Sequence, residues 1–333
     1  MAKEMKEASP ENTIFLDKEK ILSSITNDGQ YETDEIKVKK WDGGEDTETY
    51  LVEISKANIK FNGVLNQFFE RDGYGIHHFE NGDKYFGFFK EDKRNFNGIY
   101  FWPKEEKDGR IKSEMYYGFW KDNCINTNGI YIWLDEPISD KNFDNAYLEA
   151  YVGKFEDGTY SKGTYLQKTE DDYFLYHGQF TKNGLKNDEN GFFYSSNLDR
   201  VFHGEIINDV FVKGYIVVFD SETGNIENIV FANFDKDLNV SNITLDKDLE
   251  QNNKEKEGKL CSRFRDVILG IDYFGELYKK IKDVEQFIEE NMGDVKVFND
   301  QEKFPLMIKY AVAYARNNID NDITRKVFEE FEG

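Results

Sequence analysis

Two eighteen-residue stretches, Tyr85 to Trp102 (YFGFFKEDKRNFNGIYFW) and Tyr116 to Trp133 (YYGFWKDNCINTNGIYIW), are identical at ten aligned positions. Each has an aromatic run, a polar corner and a second aromatic run entered through Asn-Gly, and in both the two glycines stand eleven residues apart. The pattern predicts a repeated β-hairpin that buries its aromatic face by stacking on its neighbours. Alternation along a strand puts Tyr116, Gly118 and Trp120 on one face and Tyr117 and Phe119 on the other. A glycine between two large aromatics leaves a hollow in which a ring from the neighbouring hairpin is expected to lie on bare backbone. Lys-Glu-Asp-Lys and Lys-Asp-Asn-Cys supply the corners.

The glycine-centred strand recurs as FNGVL at 61, YFGFF at 85, YYGFW at 116, YVGKF at 151, YHGQF at 176 and FHGEI at 202. Its central glycines are 24, 31, 35, 25 and 26 residues apart, a unit of two dozen residues with insertions after Trp102 and Trp133. Each is followed by a second glycine-led strand, at Gly75 (or Gly73), Gly98, Gly129, Gly163, Gly191 and Gly214. Such a period is the signature of a solenoid. The repeat core is read as Tyr85, Gly87, Phe89, Tyr116, Gly118, Trp120, Tyr151, Gly153, Phe155, Tyr176, Gly178 and Phe180. Phe86, Phe88, Tyr117 and Phe119, opposite the repeat tyrosine, are read as lining a groove for an extended peptide or a helix.

Tyr-x-Gly-x-aromatic, a charged turn and Gly-x-aromatic together resemble the MORN repeats, over residues 61 to 219. The resemblance implies stacked β-hairpins in an elongated, twisted sheet. The fold class expected is therefore mainly β, an elongated solenoid of stacked MORN-type β-hairpins with a C-terminal α-helical segment. The chain departs from the family pattern: the second glycine of the usual Gly-x-Gly is mostly missing, as in NGIYFW, and FHGEI ends in isoleucine. The resemblance implies a non-catalytic scaffold in a ciliary, flagellar or other cytoskeletal assembly. It also leaves an alternative, a phosphoinositide-associated module or a partner of an enzyme.

Outside the repeats, residues 1–57 read as a polar arm and a β cap, with Thr13 to Ile25 open between a short helix and a strand with a turn, and strands in IKVKKW and around Tyr50, Val52 and Ile54. Residues 58–245 hold the repeats and a closing hairpin, IENIVFANF, without the central glycine. Residues 246–259 are charged and read as a linker or a solvated helix start. From 260 to 333 the period is helical, with stripes Phe264, Val267, Ile268, Ile271 and Ile281, Val284, Phe287, Ile288, then a third helix capped by Asp300 and a short last one. Tyr310, Tyr314 and Phe328 are assigned to partner docking, because so short a helical tail has little with which to bury them all.

A net charge of −22 over 333 residues opposes nucleic acid and anionic membranes and favours basic or neutral protein partners. Cys124 and Cys261 are the only cysteines, which argues against a disulfide framework or a cysteine-held zinc. The N-terminus reads as lacking a signal peptide, no run has the length of a membrane span, and the expected location is cytoplasmic or cytoskeletal, with the axoneme favoured. His177 and His203 share one repeat position and are read as stacking in register on one strand face, a surface role being preferred to a metal or proton site. No nucleotide loop, nucleophile elbow or EF-hand spacing is present, so no catalytic residue, cofactor or metal is assigned.

Overall fold

The structure, a computed structural model, describes residues 35–41, 49–56, 59–137, 146–169, 171–235, 240–244, 251–269, 273–292 and 314–319. These residues are mainly strand, in antiparallel pairings between sequence neighbours. They divide into two units. The first comprises Met1–Lys104, Glu114–Ile125 and Ile281–Asn318; the second Glu105–Ser113, Asn126–Lys280 and Ile319–Gly333. The polar arm before Glu35, the Asp300-capped helix up to residue 313 with Tyr310, and the short last helix with Phe328 lie outside the described residues, whereas 314–319 are helical.

In the first unit β1 (Glu35–Trp41), β2 (Thr49–Lys56), β3 (Ile59–Leu65), β4 (Arg71–His78), β5 (Lys84–Lys90) and β6 (Lys93–Phe101) pair in succession. β6 then pairs with Met115–Trp120 of β8 (Arg110–Lys121), whose first residues, 110–113, belong with β7 (Glu105–Lys107) to the second unit. The repeat glycines share one register across this ladder: Gly63 opposes Gly75, Gly75 opposes Gly87, Gly87 opposes Gly98, and Gly98 opposes Gly118.

The second unit repeats the pattern. From β9 (Cys124–Pro137) the ladder runs through β10 (Tyr147–Glu156), β11 (Thr159–Lys168), β12 (Tyr173–Gln179), β13 (Asp188–Ser195), β14 (Arg200–Ile207), β15 (Val210–Phe219), β16 (Ile226–Phe234) and β17 (Val240–Thr244). Gly129, Gly153, Gly163 and Gly178 form one glycine row, and Gly191, Gly204 and Gly214 another.

The corners are two-residue turns with both central residues at positive φ: Glu91–Asp92 (48°, 63°), Asp122–Asn123 (48°, 70°), Asp157–Gly158 (50°, 80°) and Asn208–Asp209 (51°, 67°). That geometry matches the right-handed twist of the strands it joins, and Asp, Asn and Gly tolerate it best.

One core module recurs. Tyr85, Tyr116, Tyr151 and Tyr176 are almost wholly buried, and each hydroxyl donates to the carbonyl oxygen three residues on, of Phe88 (3.0 Å), Phe119 (3.0 Å), Lys154 (2.8 Å) and Gln179 (2.7 Å). Each ring meets the aromatic four residues on edge to face: Phe89 at 5.0 Å, Trp120 at 5.3 Å, Phe155 at 5.0 Å and Phe180 at 5.1 Å. The ring over the glycine thus belongs to the same strand, not to the neighbouring hairpin as the sequence suggested. The reason is steric: a side chain two residues on would collide with a ring laid along the strand, as a Cβ at Gly87, Gly153 or Gly178 would with the tyrosine hydroxyl, so only a bare glycine lets the tyrosine lie down along its own strand.

The opposite face of the second unit is aliphatic and buried, with Ile130, Ile132, Leu148, Val152, Leu166 and Leu175. Two helices, α1 (Gln251–Leu269) and α2 (Tyr273–Met292), follow the strands. Residues 251–259 are the first turns of α1. Helix α1 packs on β14, β15 and β16, its Phe264 stacked on Phe192 at 5.1 Å. Gly258 lies against the side chains of Ile226 and Ile229, so close that a Cβ there would come within 2.9 Å of the Ile226 Cδ1. From α2, Phe274 meets Tyr173 at 5.2 Å and the Tyr278 hydroxyl donates to Glu136 at 2.9 Å. On this face, opposite the repeat tyrosines, α1 thus covers β14, β15 and β16, and the start of α2 meets Tyr173 and Glu136.

Candidate functional site

The tyrosine-bearing face is the more accessible one in the second unit. Its register rows run Tyr131, Tyr151, Tyr165, Tyr176 and, next to it, Trp133, Glu149, Gln167, Phe174. Tyr151 and Tyr176 are buried, whereas Tyr131, Trp133, Glu149, Tyr165 and Gln167 are half-buried. Strand alternation brings these side chains to one side, and β9, β10 and β11 hold them in line.

The Glu149 carboxylate is the polar centre of this row. It accepts from the hydroxyl of Tyr165 at 2.8 Å, from that of Tyr147 and from the Gln167 amide at 3.4 Å. Burial and the adjoining carboxylate raise the Tyr165 phenol far above its ordinary value, so that it donates throughout the ordinary pH range, and the same causes raise Tyr147. Beside Glu149, Tyr131 and Trp133 stack at 4.0 Å and 23°.

An equivalent pair exists in the first unit, where the Tyr100 hydroxyl donates to buried Asp83. In both, an acid stands two residues before the repeat tyrosine and its donor phenol two residues after the second-strand glycine. Asp83, Glu114 and Glu149 all precede a repeat tyrosine in this way, a periodic signal present in the sequence and not read there.

A second recurring device clamps successive hairpins. The second turn residue of one hairpin bonds both backbone groups of a basic residue in the hairpin before it. Asp92 does so with Arg71 (2.8 and 3.0 Å), Asn123 with Arg94 (2.8 and 3.1 Å) and Asp209 with Lys186 (2.9 and 3.0 Å). The clamped side chain then lies over aromatic rings: Arg71 at 4.8 Å from Phe89, Arg94 at 4.5 Å from Trp120 and 4.9 Å from Tyr100, and Lys186 at 5.6 Å from Tyr165. Desolvation lowers the Arg71 guanidinium, with Asp92 opposing it.

The histidines take structural positions. His177 is 6% exposed, a buried residue and not a surface one, with Nδ1 2.9 Å from Thr164 Oγ1, and burial lowers it to about 4. His203 does not stack on His177, because Phe192 stands between them in the register. The His203 ring lies on Phe192 at 4.1 Å and 7°, and Nδ1 meets Glu257 of α1 at 2.7 Å. His77 holds Arg71 at 3.0 Å, and desolvation followed by the Arg71 charge lowers it to about 2.

Of the residues assigned to partner docking, Tyr314 stacks on Phe287 at 4.2 Å and 10°, a contact inside its own chain. In the first unit Phe86 and Tyr117 are buried, whereas Phe88 and Phe119 are half-exposed and meet at Phe96, 5.1 and 5.8 Å away. Among the described residues no helix is long and apolar enough to cross a membrane. The chain matches no protein-family model and no curated protein.

Proposed function

We propose that the chain is a non-catalytic scaffold of MORN type: an elongated solenoid of glycine-centred hairpins serving as a subunit of a large protein assembly, with a ciliary or flagellar axoneme as the favoured setting. The observation that carries this reading is the use of the recurring residues. Tyrosine, glycine and the i+4 aromatic are consumed in one internal module at 85–89, 116–120, 151–155 and 176–180, so what repeats builds a surface. The second unit then carries α1 on one face, over β14 to β16, and leaves the row around Glu149 on the other half-exposed. A rigid repeat sheet with one open side suits protein docking.

The test is biochemical fractionation of the full chain from its own cells. Retention with the detergent-insoluble cytoskeleton, and release by salt as a stoichiometric complex with axonemal proteins, is expected. Recovery as a free monomer in the soluble fraction would overturn the reading.

A further inference from the structure

We propose that the half-exposed patch formed by Trp133 and Glu149 with Tyr165 of the adjacent row is a docking site for arginine side chains on an extended basic segment of a partner protein. The inference rests on the scaffold reading and names the chemistry of its partner.

The chain itself shows how it holds arginine. Arg265 forks onto Asp199 at 2.9 and 3.0 Å and lies 4.8 Å from the Phe219 ring. Arg71 bonds Asp92 at 3.1 Å and lies 4.8 Å from Phe89. Arg94 lies 4.5 Å from Trp120. A carboxylate beside a ring, or a ring alone, suffices in each, because a planar guanidinium is weakly hydrated and both stacks and donates.

Glu149 and Trp133 reproduce the acid and the ring without the arginine. They are direct register partners on β10 and β9, on the same face. Among the described residues no lysine or arginine pairs with Glu149, and Lys186, over the Tyr165 ring, is paired with Asp209 at 3.2 Å. Where the first copy has Arg94 the second has Ile125, and Cys124 to Trp133 contains no basic residue at all.

The hydrogen-bond arithmetic leaves room for a cation. A carboxylate offers about four acceptor sites, of which Tyr147, Gln167 and Tyr165 take three. The remaining site, on Oε2, adjoins the Tyr165 phenol oxygen, which also accepts. Among the described residues Glu149 is a half-buried carboxylate with donors and no cation, and so is short of charge compensation. The net charge of −22 draws a basic segment towards it.

Arginine is favoured over lysine because a compact ammonium does not spread over an indole or reach two acceptors from one plane. An extended segment is favoured because Trp133, Glu149 and Gln167 follow one another across strands, about 4.8 Å per strand.

The test uses the full chain and a fluorescein-labelled peptide, Gly-Arg-Gly-Arg-Gly-Arg-Gly-amide, with fluorescence anisotropy at about 150 mM salt. Its lysine counterpart and an uncharged oligosaccharide serve as the other probes. The arginine peptide should bind at least about fivefold more tightly than the lysine peptide, and E149Q should weaken it about fivefold or more. E222Q and D157N, which remove exposed charges elsewhere, should change it less than about twofold. W133F guards against a folding artefact: it keeps a ring, should melt like the parent, and should weaken binding modestly.

An E149Q effect no larger than that of E222Q would overturn the proposal, as would equal binding of the lysine peptide. Binding of the oligosaccharide in place of the arginine peptide would also overturn it, pointing to sugar stacking. These failures are separable from failure of the scaffold reading. A native complex that survives E149Q intact leaves the scaffold standing and removes this site from it.

Discussion

Tyr85 lies along its own strand over Gly87, and its hydroxyl closes on the Phe88 carbonyl at 3.0 Å. A Cβ on Gly87 would stand 2.5 Å from that hydroxyl and 2.6 Å from the Cα of Gly98 on the next strand. One neighbour is a tethered ring and the other is backbone, so neither yields cheaply. Gly87→Ala should therefore destabilise the protein by about 3 kcal/mol, the upper range of overpacking. Tyr116→Phe keeps the packing and removes only the bond to Phe119, a loss of about 1 kcal/mol. Urea unfolding of both variants checks the order, and an alanine at 87 as stable as the parent would refute the module.

The module itself was legible in the sequence as spacing, because aromatic-x-Gly-x-aromatic must be satisfied in any strand that carries it. What spacing did not give was direction, since the same hollow accepts a ring from the neighbour or from its own strand. The clamps were harder still. Arg71 and Asp92 are 21 residues apart, Arg94 and Asn123 are 29 apart, and insertions change that separation from copy to copy. Glu149 went unread for a different reason. Among sixty-five acidic residues it becomes distinctive only when its phase relative to Tyr151 is compared with that of Asp83 relative to Tyr85.

Arg265 joins helix α1 to the sheet through Asp199, both side chains largely buried at 10% and 15% exposure. Its guanidinium is raised first by the bond to Asp199. Removing one partner leaves the other charge poorly solvated, so Arg265→Ala should cost about 3 kcal/mol. Because the contact lies between elements, the loss should be local before it is global. Limited proteolysis should cut within α1 of the variant under conditions that leave the repeats intact. Equal resistance in the parent and the variant would mean that Phe264 and Gly258 suffice to hold the helix.

Tyr314, which its sequence position assigns to partner docking, is stacked on Phe287. A parallel pair of this kind contributes about 1 kcal/mol beyond the area it buries. Tyr314→Ala should accordingly lower the melting temperature of the isolated chain. A variant with unchanged melting but a lost complex would return the residue to the docking role.

His177 makes stability depend on pH in a defined window. Its pKa falls to about 4, chiefly by burial and then by Lys162, with Asp188 opposing. The same ring in the unfolded chain titrates near 6.5. Above that pH neither state is protonated and the histidine contributes no pH dependence. Between about 6.5 and 4 the unfolded state takes up a proton that the native state refuses, so stability is lost as pH falls, by up to about 1.4 kcal/mol per unit. His77, lowered to about 2, acts in the same direction and over a longer range. Relief of repulsion among the acidic residues works against both, so the informative quantity is a difference. Urea midpoints measured from pH 7.5 to 5 should converge for the parent and His177→Gln as the pH drops, the variant lacking this proton uptake. Parallel curves over that range would show that His177 accepts its proton in the folded protein.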